Sequence, residues 1–164
     1  MAIKFTNKAE VDRTFQEFED RYNKRAVDMM CRLGEKVVKY ARKHGKYARE
    51  HGTYTDRTAN LRNSIGYMVV QNGRIVQTAF TGRTAPTTEG GDANKAHQIG
   101  LDYAKEVFSN LSKNKTYLIW VAGMDYAAAV EAKGYDVITG SGNWAESEAQ
   151  KQMELFKRFL LRNK

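Results

Sequence analysis

From Val11 onward, apolar residues recur at helical spacing. Val11, Phe15, Phe18, Tyr22, Ala26, Met29, Leu33, Val37 and Ala41 follow one another every three or four positions. That period puts them on one face and predicts a long amphipathic N-terminal helix. Asn7 and Glu10 have capping-box spacing at its start. Gly34 offers a kink, and Gly45 and Gly52 are competing stops. Asp56 is placed to cap a short turn of helix through Leu61. The pattern then changes. Two short apolar runs flank Asn72-Gly73, a pair suited to the two positive φ values of a type I′ hairpin turn. Centring the turn there pairs Val69 with Val76, Tyr67 with Thr78 and Ile65 with Phe80, six residues sharing the more apolar face. Residues 82–96, GRTAPTTEGGDANKA, read as a long mobile loop. A helical period resumes from His97 to Leu111 through Ile99, Tyr103 and Val107. Residues 116–122, TYLIWVA, are apolar on both faces, the pattern of a central strand. Asp125 caps a short helix that Gly134 stops, Tyr135 to Thr139 reads as a short strand, and Asn143 to Arg162 as a last amphipathic helix. The expected fold class is α+β, as a single domain over residues 1–164. A long N-terminal helix and a C-terminal helix would pack on a small, largely antiparallel sheet of about four strands.

Length and composition narrow the function classes. A chain of 164 residues suits one domain. No 18-residue apolar run is present, so no membrane partner is expected. The first residues, MAIKFTNKAEVDRTF, lack an apolar signal core, which points to synthesis and retention inside a cell. Cys31 is the only cysteine, which excludes a disulfide framework and a four-cysteine metal site. The formal charge is +8, and it is concentrated. Between Arg21 and Arg62 there are 12 Lys+Arg and 4 Asp+Glu; the remainder has 15 of each (27 minus 12, 19 minus 4). One segment therefore carries the whole excess, the main electrostatic clue to partners.

Within that segment Arg32, Lys36, Lys39, Lys43 and Lys46 recur at helical spacing. They form a basic stripe that could face phosphates or an acidic protein, or simply be a solvated helix face. No helix-turn-helix, zinc-finger or ribbon signature accompanies it. His44 and His51 are seven apart, too far for a common helical metal pair, and His97 stands alone. Cys31 reads as a small packing residue without a visible base. Asp12, Glu17, Glu19 and Asp20 sit among cations, and Glu146 and Glu148 suit the first turn of a helix. Gly90-Gly91 is not followed by Gly-Lys-Ser/Thr, so it is not a phosphate loop. No cofactor, metal site or catalytic group is expected from these patterns.

Two segments carry more. Residues 58–65, TANLRNSI, follow the long helix and resemble the Thr-Gly-x-Leu-Arg-x-Ser-Ile signature of a family of bacteriophage tail-completion and head–tail joining proteins, of the minor tail protein Z type. Residues 123–131, GMDYAAAVE, look like the same family's Tyr-Ala-x-x-Val-Glu segment, in the expected order. Ala59 stands where the signature usually has glycine, from which an ordinary negative φ is expected. The loop and the helix from His97 look like an insertion. The resemblance implies a virion component of the neck or upper tail, made in the bacterial host cytoplasm. It would form a homo-oligomeric ring, adapt one part of the particle to another and catalyse nothing. The motif residues Arg57, Leu61, Arg62, Ser64, Ile65, Tyr126, Val130, Glu131 and Gly134 would then be structural. Leu61 and Ile65 would anchor the turn between helix and sheet, Tyr126 and Val130 would pack the short helix on the sheet, and Arg57 or Arg62 would reach Glu131. The alternatives are a basic nucleic-acid-binding accessory protein using the stripe, and an enzyme whose site is completed only in an oligomer.

Overall fold

The computed structural model describes residues 7–47, 57–81 and 90–162. Eight elements follow in order: α1 (Lys8–Tyr47), α2 (Asn60–Asn63), β1 (Ile65–Gln71), β2 (Arg74–Ala79), α3 (Ala93–Ser109), β3 (Thr116–Ala122), α4 (Ala127–Ala132) and α5 (Thr139–Arg162). The fold is α+β, with one antiparallel sheet in the order β2-β1-β3. α1 and α5 lie on one face of the sheet and α3 on the other.

The sheet has three strands rather than about four. Tyr135 to Thr139 does not form a strand; α5 already starts at Thr139, four residues before the expected Asn143. The central strand is β1, not the segment 116–122. β1 is buried on both faces: Ile65, Tyr67 and Val69 face α1, whereas Met68 and Val70 face α3. The apolar residues of β3 alternate in the same way, with Ile119 and Val121 toward α3 and Leu118 and Trp120 toward α1. Its two-faced apolarity reflects helices on both sides of the sheet, a covering that an edge strand can share.

The turn at Asn72-Gly73 forms as expected, with φ of 49° and 77°. The register it predicts holds only next to the turn, at Gln71↔Arg74 and Val70↔Ile75. A bulge then shifts the ladder by one residue, so that Val69 faces Gln77 and Tyr67 faces Ala79. The expected pairs Val69–Val76, Tyr67–Thr78 and Ile65–Phe80 are thereby replaced. Phe80 goes to the α3 side, and Ile75 and Val76 stay exposed.

α1 is unbroken through Gly34 and Gly45 to Tyr47; Gly52 and Asp56 lie outside the described residues. Gly34 serves packing instead of a kink. A Cβ there would stand 2.5 Å from the ring of Tyr67, which lies flat on the bare backbone and donates its hydroxyl to Glu35. The apolar stripe is continuous in sequence but buried only in its second half. Val37 and Ala41 are core, whereas Phe15 is 70% exposed. The reason is length: a 40-residue helix is about 60 Å long, but a seven-residue strand spans only about 23 Å. α3 begins at Ala93, inside the segment expected to be loop. Asp92 caps it by accepting from the Lys95 N–H. Residues 82–89 of that expected loop lie outside the described residues.

Candidate functional site

The turn between α1 and the sheet is built around Ser64, which is fully buried. Its hydroxyl donates to the Leu61 carbonyl at 2.8 Å and accepts from the Gly123 and Met124 N–H groups at 3.1 and 3.3 Å. The Ser64 carbonyl also accepts from Gly123. The first sequence motif is thus stitched to the start of the second through one side chain. Leu61 continues the join, packing with Ala127 and Val137 and against Met124 and Val130. Ile65 is buried beneath α1 and pairs with Ala122 across β1 and β3.

Ala59 does not take an ordinary negative φ. It is left-handed, at φ 59° and ψ 9°, and 3% exposed. The turn into α2 needs that conformation, because Asn63 and Ser64 must return their N–H groups to the carbonyls of Ala59 and Asn60. Glycine would be the unstrained residue here. At the far end of α4, Gly134 has φ 83° with nothing near its missing Cβ, so only its backbone conformation is at stake.

Glu131 does not tie to Arg57 or Arg62. Its carboxylate accepts from the backbone N–H groups of Val137, Ile138 and Thr139 at 2.9, 3.0 and 3.3 Å. Asp136 accepts from Gly140 at 2.8 Å. Together they cap α5, satisfying donors that a helix start leaves unpaired and placing negative charge at its positive end. Partial burial pushes the Glu131 carboxyl up, but the hydrogen bonds from the Thr139 side chain and from the three N–H groups outweigh it and hold it below the usual range. Tyr126 precedes α4 and is 39% exposed; Val130 packs against the cluster around Leu61. Arg57 is exposed and Arg62 half-buried.

Arg42 is the residue that sequence reasoning missed. Its guanidinium donates to the Ile65 carbonyl from Nε and Nη2 at 3.2 and 2.7 Å, and from Nη2 to the Phe80 carbonyl at 3.4 Å. It fastens α1 to the start of β1 and to the residue that follows β2. The signal was present: Arg42 follows Ala41 and stands four residues after Val38, on the stripe that enters the core. A cation there has to find carbonyls. α3 closes the other side of the turn. A Cβ on Gly100 would stand 2.2 Å from the Ser64 carbonyl oxygen, and one on Gly123 would stand 2.4 Å from the Gly100 Cα. The supposed insertion is therefore packed backbone to backbone against the motif. His97, on the same helix, is buried and its Nε2 finds no hydrogen-bond partner among the described residues; burial, then the charge of Arg42, lowers its pKa.

The basic stripe divides. Arg32, Lys36, Lys39 and Lys43 are all exposed on α1. Lys36 pairs with Glu148 of α5 at 2.5 Å, and Arg32 lines a shallow cleft between the two helices. Lys46 belongs to α1, but its side chain lies outside the described residues. Cys31 is half-buried against the β1 cluster. Among the described residues no group of His, Cys, Asp and Glu could hold a metal ion, and no helix is long and apolar enough to cross a membrane.

A groove of about 1080 Å³ lies beside β3, walled by α3 and by the segment from Gly123 to Ile138. Six consecutive residues, Tyr117 to Ala122, line it. Neighbours on a strand point to opposite faces, so a cavity touching all six runs along the strand's edge. Compared with protein-family models, curated proteins and solved structures, the chain finds no match.

Proposed function

We propose that this chain is a structural subunit of a tailed-bacteriophage neck or upper tail: a ring-forming adaptor that completes the tail or joins it to the head, located in the virion and without catalytic activity. The observation that carries the reading is the meeting of the two motif segments at Ser64. Residues nearly sixty positions apart, recognised separately in the sequence, share one buried hydrogen-bonded joint. The left-handed Ala59 adds support, since the signature's usual glycine fits that backbone. A joint of this kind fixes how α2 and the entry to α4 sit against the end of the sheet, and with it part of the shape offered to neighbouring subunits. The start of α1, where Phe15 is exposed, suits a molecule that completes its packing in an assembly.

The test is imaging of purified particles or isolated necks with this subunit located. A ring at the head–tail junction or the tail's upper end is the expected result. Presence only in the cytosol of infected cells would remove the proposal.

A second reading, non-specific DNA binding, draws on the exposed Lys39 and Lys43. It requires DNA retention that falls steeply between low and moderate salt and is lost when Lys36, Lys39 and Lys43 are neutralised. The bond from Lys36 to Glu148 leaves the stripe weaker than its sequence suggests.

A further inference from the structure

The sheet has two unlike edges, and among the described residues neither has a second partner: β2 and β3 each pair only with β1. Both have features unusual for an edge left in water. β2 carries Ile75 and, next to it at the bulge, Val76, which has no partner on β1; they are 44% and 42% exposed. β3 carries an apolar groove along its outer side, with Val107, Leu111, Ile119 and Val121 in its walls. Proteins that expose a strand edge usually blunt it with inward-pointing charge, proline, a bulge or a cover, and of these β2 has only the bulge at Val76. Neither TYLIWVA nor RIVQTA contains proline, and only Arg74 is charged. The charged residues lining the groove are Asp102, Glu106, Asp125 and Glu131, all acidic, in a chain whose net charge is +8. The other edge begins with the cation Arg74.

We propose that β2 of one copy adds to β3 of the next, seating Ile75 or Val76 in the groove and bringing Arg74 toward its acidic rim, so that the sheet continues from subunit to subunit. The proposal deepens the ring reading and rests on it. Two different edges meeting make a heterologous contact, the kind that closes rings. The topology also fixes the direction of the new ladder. β2 and β3 are both antiparallel to β1, so they point the same way. Rotation by less than half a turn about a ring axis near the strand direction preserves that sense, and β3 and the incoming β2 pair in parallel. A two-fold dimer through β3 alone would instead be antiparallel.

Disulfide trapping in full-length protein tests this, in a background with Cys31→Ser. Val76→Cys is combined with Tyr117→Cys in one variant and with Leu118→Cys in another, so that both faces of β3 are sampled. Under mild oxidation at least one pair should give a ladder of covalent oligomers, in solution or in particles, and the single-cysteine variants should not. Ile75→Lys with Val76→Lys, at positions already exposed, should leave the monomer folded and weaken self-association at least tenfold. Dimers from Tyr117→Cys alone, or normal assembly of the double lysine variant, would overturn the strand pairing. A ring found in particles whose subunits give no ladder would overturn it while leaving the adaptor reading intact. A chain that stays monomeric in solution and is absent from particles removes both.

Discussion

At residue scale, the most informative position is Ala59. An alanine in the left-handed region is strained by about 1 kcal/mol or somewhat more, and replacing it by glycine returns part of that as unfolded-chain entropy. Ala59→Gly should therefore raise stability by about 0.5 kcal/mol, read as a higher urea midpoint at constant slope. Gly100 should behave oppositely. Its Cβ would meet the Ser64 carbonyl at 2.2 Å and the Phe80 ring at 2.9 Å, and backbone cannot yield as a flexible side chain does. Gly100→Ala should cost about 1–3 kcal/mol in the same measurement. Ser64→Ala strips an acceptor from two N–H groups at the joint. A loss of about 1–3 kcal/mol is expected; an unchanged midpoint would mean that the joint contributes little.

At the scale of elements, α5 depends on an acidic cap supplied from outside its own sequence. Glu131 is held below the usual carboxylate range in the folded chain, so the folded state binds this proton more weakly than the unfolded one. Its contribution is complete above the unfolded value near 4.5 and disappears as pH falls through the lower folded value. Urea midpoints measured from pH 6 to pH 3 should fall for the parent chain, and Glu131→Gln should flatten that fall while lowering the midpoint at neutral pH. His97 shifts in the same sense at higher pH. Its folded pKa lies below the ordinary 6.5, so the stability linked to the neutral ring is present above 6.5 and is lost as pH drops from there toward the folded value. His97→Gln should remove the part of the decline between pH 7 and pH 5. The cap on α5 was hard to anticipate because its donors lie between Gly134 and Gly140, where the sequence shows alternation and glycine rather than a capping pattern.

At the scale of the whole molecule, the long helix has two unequal halves. Val37 and Ala41 hold the body together, whereas Phe15 reaches beyond it. In the isolated subunit, amides of residues 8–17 should exchange within the shortest labelling times and those of β1 last, because only the latter are buried on both sides. Phe15→Ser should leave stability within about 0.5 kcal/mol of the parent chain. A large loss would show that the helix is packed there after all. Charge is also divided at this scale: the stretch of α1 from Arg21 to Tyr47 is strongly basic, with 9 Lys+Arg against 2 Asp+Glu, and the acidic lining lies beside β3. A molecule polarised in this way is suited to meeting copies or neighbours through unlike surfaces.

By itself, the sequence determined what depends on near neighbours along the chain: the long helix, the Asn72-Gly73 turn, the stop at Gly134 and the α+β class. Each follows from spacing or from the φ range a residue tolerates. The tertiary structure decided what depends on which segments meet. It made β1 rather than β3 the central strand, because helices cover both faces of the sheet and so erase the alternation that would tell centre from edge. It forced Ala59 into a glycine's conformation and turned Arg42 inward to distant carbonyls. It also drew Glu131 to the start of α5 instead of to an arginine. These are the outcomes of backbone groups competing for partners across the fold, and the partner taken is fixed only when the layers are packed.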